Sequence, residues 1–119
     1  MSVKSALIDP SWVRILIVDD EAMVLGVLKE QLQPEGYHIT TLDSPSKVLE
    51  LLQKETFSVL LADNEMPGMT GLELLSKVKQ SHPTITRLLL SSGMTMTALS
   101  DAIKADTIYR FITNPWLRE

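Results

Sequence analysis

Short apolar runs alternate along the chain with longer segments in which apolar residues recur every three or four positions. Five short runs predict strands at residues 14–18, 38–42, 58–62, 87–90 and 109–112. Four longer segments predict helices, the first at about 21–33 and the last at 97–105, with two more opening near residues 45 and 70. This alternation predicts an α/β fold.

The predicted helices carry start and stop signals. Pro34 ends the first helix, because proline cannot continue the hydrogen-bond ladder. Ser44 is expected to cap the second, with Pro45 at its first position. Thr70 and Glu73 have the spacing of a capping box, in which each side chain bonds the other residue's backbone N–H.

The polarity of each strand predicts its place in the sheet. Strands that alternate with helices lie parallel and are joined by right-handed crossovers. The first, third and fourth strands are apolar throughout, as expected for strands buried on both faces, whereas the second and fifth carry polar residues and suit the edges. We therefore expect a flavodoxin-like, doubly wound, five-stranded parallel sheet of order 2-1-3-4-5. Ligands should bind beyond the carboxyl ends of strands one and three, where the chain order reverses.

Composition narrows the classes of partner and chemistry. The 119 residues suit one compact domain, which we place at 13–119 after an N-terminal tail at 1–12. The net charge of −4, without a basic stripe, argues against direct nucleic-acid contact. The absence of cysteine excludes disulfides and thiolate chemistry. The apolar run near the N-terminus is too short for a secretory signal or membrane span, so we expect a cytoplasmic protein without membrane contact.

Acidic residues follow the two strands that flank the predicted crevice. Strand one leads into Asp19, Asp20 and Glu21, and strand three into Asp63 and Glu65. One such acid commonly caps a helix or solvates a loop, but carboxylates brought together from two strands repel unless a cation joins them. An oxygen-only ligand set favours a hard ion such as Mg2+, which would also admit an anionic ligand.

Two loops border this crevice. In the segment 66–69, Pro67 fixes φ and Gly68 can supply a positive φ, so a tight turn would hold Asp63 at the strand end with its carboxylate exposed. The segment 91–93 follows strand four, and the hydroxyl of Ser91 could bond a phosphoryl oxygen. Each loop taken alone is better explained as an ordinary connection.

These motifs together closely resemble the receiver domains of bacterial two-component response regulators, of which the chemotaxis receiver is an example. The resemblance covers residues 13 to about 117. It rests on Ile-Leu-Ile-Val-Asp-Asp-Glu at 15–21, Leu-Leu-Ala-Asp-Asn-Glu-Met-Pro-Gly-Met-Thr-Gly at 60–71, Arg-Leu-Leu-Leu-Ser at 87–91 and Tyr-Arg-Phe-Ile-Thr-Asn-Pro-Trp at 109–116.

The resemblance implies a signalling role and assigns residues to it. Asp63 is then the phosphoacceptor, supplied by the phosphohistidine of a sensor histidine kinase or phosphotransfer protein. Mg2+ is held by Asp19, Asp20, Asp63 and the backbone carbonyl of Glu65. Ser91 is the switch hydroxyl and Phe111 the switch aromatic. Such a domain is not an enzyme beyond Mg2+-dependent self-phosphorylation and self-dephosphorylation, and it switches an attached output domain.

One residue departs from the pattern of the resembled family. The lysine that usually precedes the proline after strand five is replaced by Asn114, whose amide can donate a hydrogen bond but brings no positive charge. We expect weaker stabilisation of the phosphoryl group or an altered response to it. The resemblance also implies a cis peptide between Asn114 and Pro115. The alternative function is a receiver-like binding module that works without phosphorylation.

Glu65 and the end of the sequence raise two further points. The side chain of Glu65 either reaches the mouth of the pocket, where it would affect hydrolysis of the acyl phosphate, or points to solvent. A receiver usually has a fifth helix after strand five, and here only residues 116–119 follow. We therefore expect a domain truncated near the start of that helix, from a longer parent with an output domain. The closing motif resembles receivers joined to cyclic-dinucleotide phosphodiesterase domains.

Two enzyme classes occur on similar sheets and are alternative functions. A phosphatase with an aspartate nucleophile needs an Asp-x-Asp loop after strand one, but Asp19 and Asp20 are adjacent. A flavin-binding electron carrier needs a hydroxyl- and glycine-rich phosphate loop there, and acids would repel the phosphate. Both are disfavoured.

Overall fold

Five parallel strands and four helices alternate in the chain, which a computed structural model describes at residues 9–91 and 93–113. The strands are β1 (Arg14–Val18), β2 (His38–Leu42), β3 (Val59–Asp63), β4 (Thr86–Ser91) and β5 (Arg110–Thr113). The helices are α1 (Ala22–Leu32), α2 (Pro45–Leu52), α3 (Gly71–Ser81) and α4 (Met96–Lys104). The predicted elements are therefore present, with ends shifted by a residue or two.

The strand order is β2-β1-β3-β4-β5, which confirms the predicted flavodoxin-like sheet. Every neighbouring pair is parallel, and the register aligns Val18 with Ala62 and Asp63 with Leu90. The central strands are almost wholly buried, while β2 and β5 are partly exposed at the edges. Burial thus follows the polarity of each strand. The carboxyl ends of β1, β3 and β4 lie side by side along one end of the sheet.

Each face of the sheet has its own apolar core. On one face Val48 of α2, Leu75 of α3 and Leu99 of α4 belong to a core that also contains the strand residues Leu16, Leu60 and Leu89. On the other face α1 contributes Val24, Leu25 and Leu28, which pack against Ile15, Ile17, Leu61 and Leu90. Among the described residues, no helix combines the length and the apolar character that crossing a membrane requires.

The helix starts agree with the predicted caps at one position and differ at another. The capping box is confirmed: Glu73 N–H donates to Thr70 Oγ1 at 3.1 Å, and Thr70 N–H donates to Glu73 Oε1 at 2.8 Å. Ser44 occupies the N-cap position of α2, but its side chain makes no cap hydrogen bond. Its hydroxyl oxygen instead lies 3.0 Å from that of Ser46, which satisfies the group locally.

The segment before β1 contains a short ordered turn within the expected tail. Pro10–Trp12 form one turn of 3-10 helix, capped by the Asp9 side chain, which accepts the Ser11 N–H at 3.0 Å. Residues 1–8 lie outside the described residues, as do 114–119. The expected truncated fifth helix therefore lies outside them too.

The buried side chain of Arg87 in β4 binds backbone carbonyl oxygens, and its nearest carboxylate among the described residues is beyond hydrogen-bond distance. Arg87 is 5% exposed, although its strand was predicted to be apolar. Its guanidinium donates to the carbonyl oxygens of Thr107 (3.0 Å), Pro83 (3.2 Å), Ile85 (3.0 Å) and Asp106 (2.9 Å). The exposed Asp106 carboxylate is 3.7 Å away. Arg87 therefore ties the start of β4 to the connection between α4 and β5.

Candidate functional site

Three carboxylates meet at the edge where β1 and β3 end. Asp19 follows the last residue of β1, Asp20 comes next, and Asp63 is the last residue of β3. One oxygen from each of these side chains can be chosen so that all three lie within 4.8 Å of one another. Asp19 and Asp63 are buried and Asp20 is exposed, so the cluster opens to solvent on the Asp20 side. The prediction that acids of the two strands meet is confirmed.

The local backbone fixes the Asp19 side chain. Asp19 Oδ1 accepts the backbone N–H of Glu21 at 2.9 Å, and Glu21 is the N-cap residue of α1. The turn that starts α1 therefore orients the carboxylate, since an aspartate readily bonds the backbone two residues on.

Two of the carboxyl groups are hard to ionise in the protein alone. Burial, followed by the charge of Asp19, raises the pKa of Asp63 to about 7, while a hydrogen bond from the Glu65 backbone acts in the opposite direction. Burial also raises the pKa of Asp19 to about 6, with the charge of Asp20 adding to the effect. Like charges in a poorly solvated cluster favour the protonated forms.

The cluster fits a hard divalent cation. Its donors are carboxylate oxygens from Asp19, Asp20 and Asp63, the ligand type that Mg2+ and Ca2+ prefer. A cation would also remove the repulsion that raises the two pKa values. The donor set and its opening to solvent suit Mg2+, which keeps several waters and needs few protein carboxylates.

The other predicted site residues lie at or near the same edge, as far as they are described. Ser91 is the last residue of β4 and is 3% exposed, one position beyond the strand partner of Asp63. Phe111 is half-buried on β5, is aligned with Leu89, and packs against the core on the α2–α4 face. Asn114 and Pro115, together with the predicted cis peptide, lie outside the described residues.

Glu65 is exposed two residues after Asp63. Its charge is among the smaller causes that raise the pKa of Asp63, after burial and the charges of Asp19 and Asp20. The side chain therefore reaches solvent while still acting on the cluster electrostatically. An effect of Glu65 on hydrolysis of an acyl phosphate stays a prediction.

In the connection from β3 to α3, Gly68 has φ +82°, as the predicted turn requires. The same connection contains two residues, Asn64 and Gly71, whose structural role the sequence did not reveal. Gly71 begins α3 so close to β3 that a Cβ on it would overlap the carbonyl oxygen of Asp63 and lie 2.9 Å from its carbonyl carbon. Asn64 Oδ1 accepts the N–H of Leu72 at 3.1 Å. Asn64 and Gly71 thus hold α3 against the residue that carries the central carboxylate.

Comparison with known families agrees with this geometry. The family model for the response regulator receiver domain matches residues 15–119. The chain belongs to this family and is a receiver domain of the kind found in two-component signalling systems.

Relatives differ in how much of their length the chain spans. The hydrogenase transcriptional regulatory protein HoxA of Cupriavidus necator is 32% identical over 103 residues, which are 87% of this chain and 21% of HoxA. The DNA-binding transcriptional regulator NtrC of Klebsiella pneumoniae is 40% identical over 94 residues, which are 79% of this chain and 19% of NtrC. The chain therefore spans about a fifth of the length of these curated relatives.

Two solved structures that are similar to this chain are complexes of the response regulator TrrA, one with Mg2+-BeF and one with a histidine kinase. The response regulator protein TrrA of Thermotoga maritima in complex with Mg2+-BeF is 29% identical, with a TM-score of 0.75 and 86% coverage of each chain. A chain in the complex of histidine kinase ThkA with TrrA is 27% identical, with a TM-score of 0.75 and coverage of 86% of this chain and 85% of that one.

Proposed function

We propose that this receiver domain accepts a phosphoryl group on Asp63 from the phosphohistidine of a sensor histidine kinase or phosphotransfer protein. The observation that carries the proposal is the carboxylate cluster in which Asp63, at the end of β3, lies beside Asp19 and Asp20. The complex of ThkA with TrrA supports a histidine kinase as the class of partner.

The transfer step needs a nucleophile with a free oxygen, and Asp63 has one when it is ionised. A carboxylate oxygen of Asp63 attacks phosphorus, the P–N bond to the kinase imidazole breaks, and its electron pair returns to the ring nitrogen. The product is an acyl phosphate on Asp63. Attack of water on phosphorus later breaks the new P–O bond, which releases inorganic phosphate and restores the carboxylate.

The residues that would hold Mg2+ are Asp19, Asp20, Asp63 and the backbone carbonyl of Glu65. When bound, Mg2+ supplies positive charge that offsets the phosphoryl oxygens and the three carboxylates. Asp19 is kept in place by the Glu21 N–H, so its carboxylate is oriented before any ligand arrives. The raised pKa values of Asp19 and Asp63 imply that metal binding and proton release are linked.

Phosphorylation would be transmitted through Ser91 and Phe111 to an output domain. The Ser91 hydroxyl, one position beyond the strand partner of Asp63, would bond a phosphoryl oxygen, and Phe111 would turn further inward when Ser91 moves. We place the receiver domain at 13–119 of a longer parent chain, since regulators such as HoxA extend far beyond the matched region. One candidate output is a cyclic-dinucleotide phosphodiesterase domain.

Acetyl phosphate and Mg2+ are expected to add the mass of one phosphoryl group to the protein. The intact mass is measured for the wild type, for Asp63→Asn, and for the wild type with a chelator. The adduct should form only in the wild type with Mg2+, because Asp63 is the nucleophile and the metal offsets the charge of the phosphoryl oxygens and carboxylates. In the reaction, the P–O bond to acetate breaks and a P–O bond to Asp63 forms. An equal adduct on Asp63→Asn would contradict the proposal.

The alternative is a receiver-like module that signals by binding without phosphorylation, and the sequence feature favouring it is Asn114 in place of lysine. Asn114→Lys is expected to tighten binding of the phosphoryl analogue beryllofluoride roughly tenfold in the presence of Mg2+, because an ammonium group adds a charge-assisted bond. Calorimetric titration measures the affinity. Unchanged affinity would show that this position does not limit phosphoryl binding, and a wild type without adduct would favour the alternative.

A further inference from the structure

Asn64 uses three of its polar groups to tie the end of β3 to its neighbours. Its backbone N–H donates to the carbonyl of Leu90 on β4 at 3.0 Å. Its backbone carbonyl accepts the N–H of Gly71 at 3.2 Å, and its side-chain Oδ1 accepts the N–H of Leu72 at 3.1 Å. The first two N–H groups of α3 therefore both end on Asn64, which is half-buried.

These bonds close the loop 64–70 at its base. The first N–H groups of a helix lack partners within the helix, so a side chain that accepts one of them fixes where the helix starts. Thr70 caps the outer side of the same helix end through its bond with Glu73. Asn64 caps the side of the helix end that faces β3, although it lies eight residues before its partner Leu72. The start of α3 is thereby held in close contact with the backbone of Asp63 at Gly71.

The peptide groups that Asn64 holds are those beside the phosphoacceptor. The Glu65 N–H is the next donor along the chain, and its proximity to the Asp63 carboxylate lowers the pKa of that group, against the raising effect of burial. The direction of this N–H depends on the torsions of residue 64, which the bonds to Leu90, Gly71 and Leu72 restrain. Loss of the side-chain bond would remove one of these three restraints, so the peptide between residues 64 and 65, which carries the Glu65 N–H beside the Asp63 carboxylate, would vary more in orientation.

We infer that Asn64 is a positioning residue for phosphoryl transfer: its side-chain bond to the start of α3 fixes the Asp63–Glu65 backbone in the geometry that the transfer requires. The inference rests on the proposed function of Asp63. Positioning contributes strongly to reactions of this kind, because the protein supplies orientation and charge more than covalent chemistry.

The test compares two truncations at the same helix end with one conservative replacement. Asn64→Ala removes the acceptor of the Leu72 N–H, and Thr70→Ala removes the acceptor of the Glu73 N–H on the outer side. Asn64→Asp keeps an oxygen at the acceptor position. Urea unfolding checks that the three variants fold and that the two truncations lose similar stability.

The rate of adduct formation with acetyl phosphate is measured at saturating Mg2+. Asn64→Ala should react roughly tenfold more slowly than the wild type, Thr70→Ala should stay within about twofold, and Asn64→Asp, which keeps the acceptor but adds a charge, should react faster than Asn64→Ala. Exchange of the Leu72 amide, followed by NMR, should accelerate in Asn64→Ala and remain protected in Asn64→Asp. Equal slowing of both truncations, or no slowing of either, would overturn the inference.

A wild type that takes no adduct would refute the proposed function and leave Mg2+ affinity as the deciding measurement. Titration with Mg2+ alone should then show weaker binding by Asn64→Ala, by roughly tenfold, and unchanged binding by Thr70→Ala, because the Glu65 carbonyl belongs to the restrained segment. Identical affinities of the two variants would overturn the positioning role independently of phosphorylation.

Discussion

Arg87→Met is expected to lower the free energy of unfolding by about 3 kcal/mol. The substitution keeps a long side chain but removes every donor that the buried guanidinium directs at the carbonyls of Thr107, Pro83, Ile85 and Asp106. In the variant these buried carbonyl groups would have neither the guanidinium nor water as a hydrogen-bond donor, and leaving buried polar groups without a partner destabilises the folded state. Urea unfolding followed by circular dichroism measures the change.

Arg110→Met is the matched control for this prediction. Arg110 is exposed on β5, and its guanidinium lies 5.1 Å from the ring centre of Tyr109. This variant should change stability by less than about 0.5 kcal/mol, as exposed substitutions usually do. A loss of similar size in the two variants would contradict the view that Arg87 holds the connection between α4 and β5.

Asp63→Asn is expected to stabilise the metal-free protein at pH 8 by about 2 kcal/mol. The amide keeps the shape of the side chain but removes the charge that burial and Asp19 make costly. The expected gain in unfolding free energy is smaller than the full shift in the pKa of Asp63 would give, because the cluster is open to water beside Asp20. Urea unfolding with a chelator measures the gain, and added Mg2+ should reverse the ranking by stabilising the wild type.

The same groups give the wild type a dependence of stability on pH. Folding raises the pKa of Asp63 from 3.8 to about 7 and that of Asp19 to about 6, so the folded state binds more protons between these limits. Stability without metal should therefore fall as the pH rises from about 4 to 7. The fall should be smaller in Asp63→Asn, and Asp101→Asn, at an exposed position on α4, should leave it unchanged. Identical slopes in all three proteins would refute the assignment.

The strand order and the meeting of Asp19 with Asp63 could be predicted because both follow from short patterns. The polarity of each strand determines its place in the sheet, and the parallel arrangement then brings the carboxyl ends of β1 and β3 together. The capping box of Thr70 and Glu73 and the positive φ of Gly68 are likewise local properties of a few consecutive residues.

Other parts of the structure depend on contacts that no local pattern encodes. Arg87 is buried because carbonyls of the connection just before β4 and of the more distant connection between α4 and β5 converge on it, although the rest of the strand is apolar. The place of Asn64 depends on Leu72, and that of Gly71 on the close approach of α3 to Asp63. Ser44 has the residue type of a cap, but its hydroxyl pairs with that of Ser46 and makes no cap bond. A glycine within a motif is the available sequence signal for such a close approach.

Locating the phosphoryl group within the chain tests the central claim most directly. After reaction with acetyl phosphate and Mg2+, borohydride reduces an aspartyl phosphate to homoserine, and peptide mass spectrometry then identifies the converted residue. We predict conversion of Asp63 alone, and none when the metal is chelated. Conversion of Asp19 or Asp20, or a stable phosphate on the Ser91 hydroxyl, would contradict the assignment of Asp63 as the phosphoacceptor.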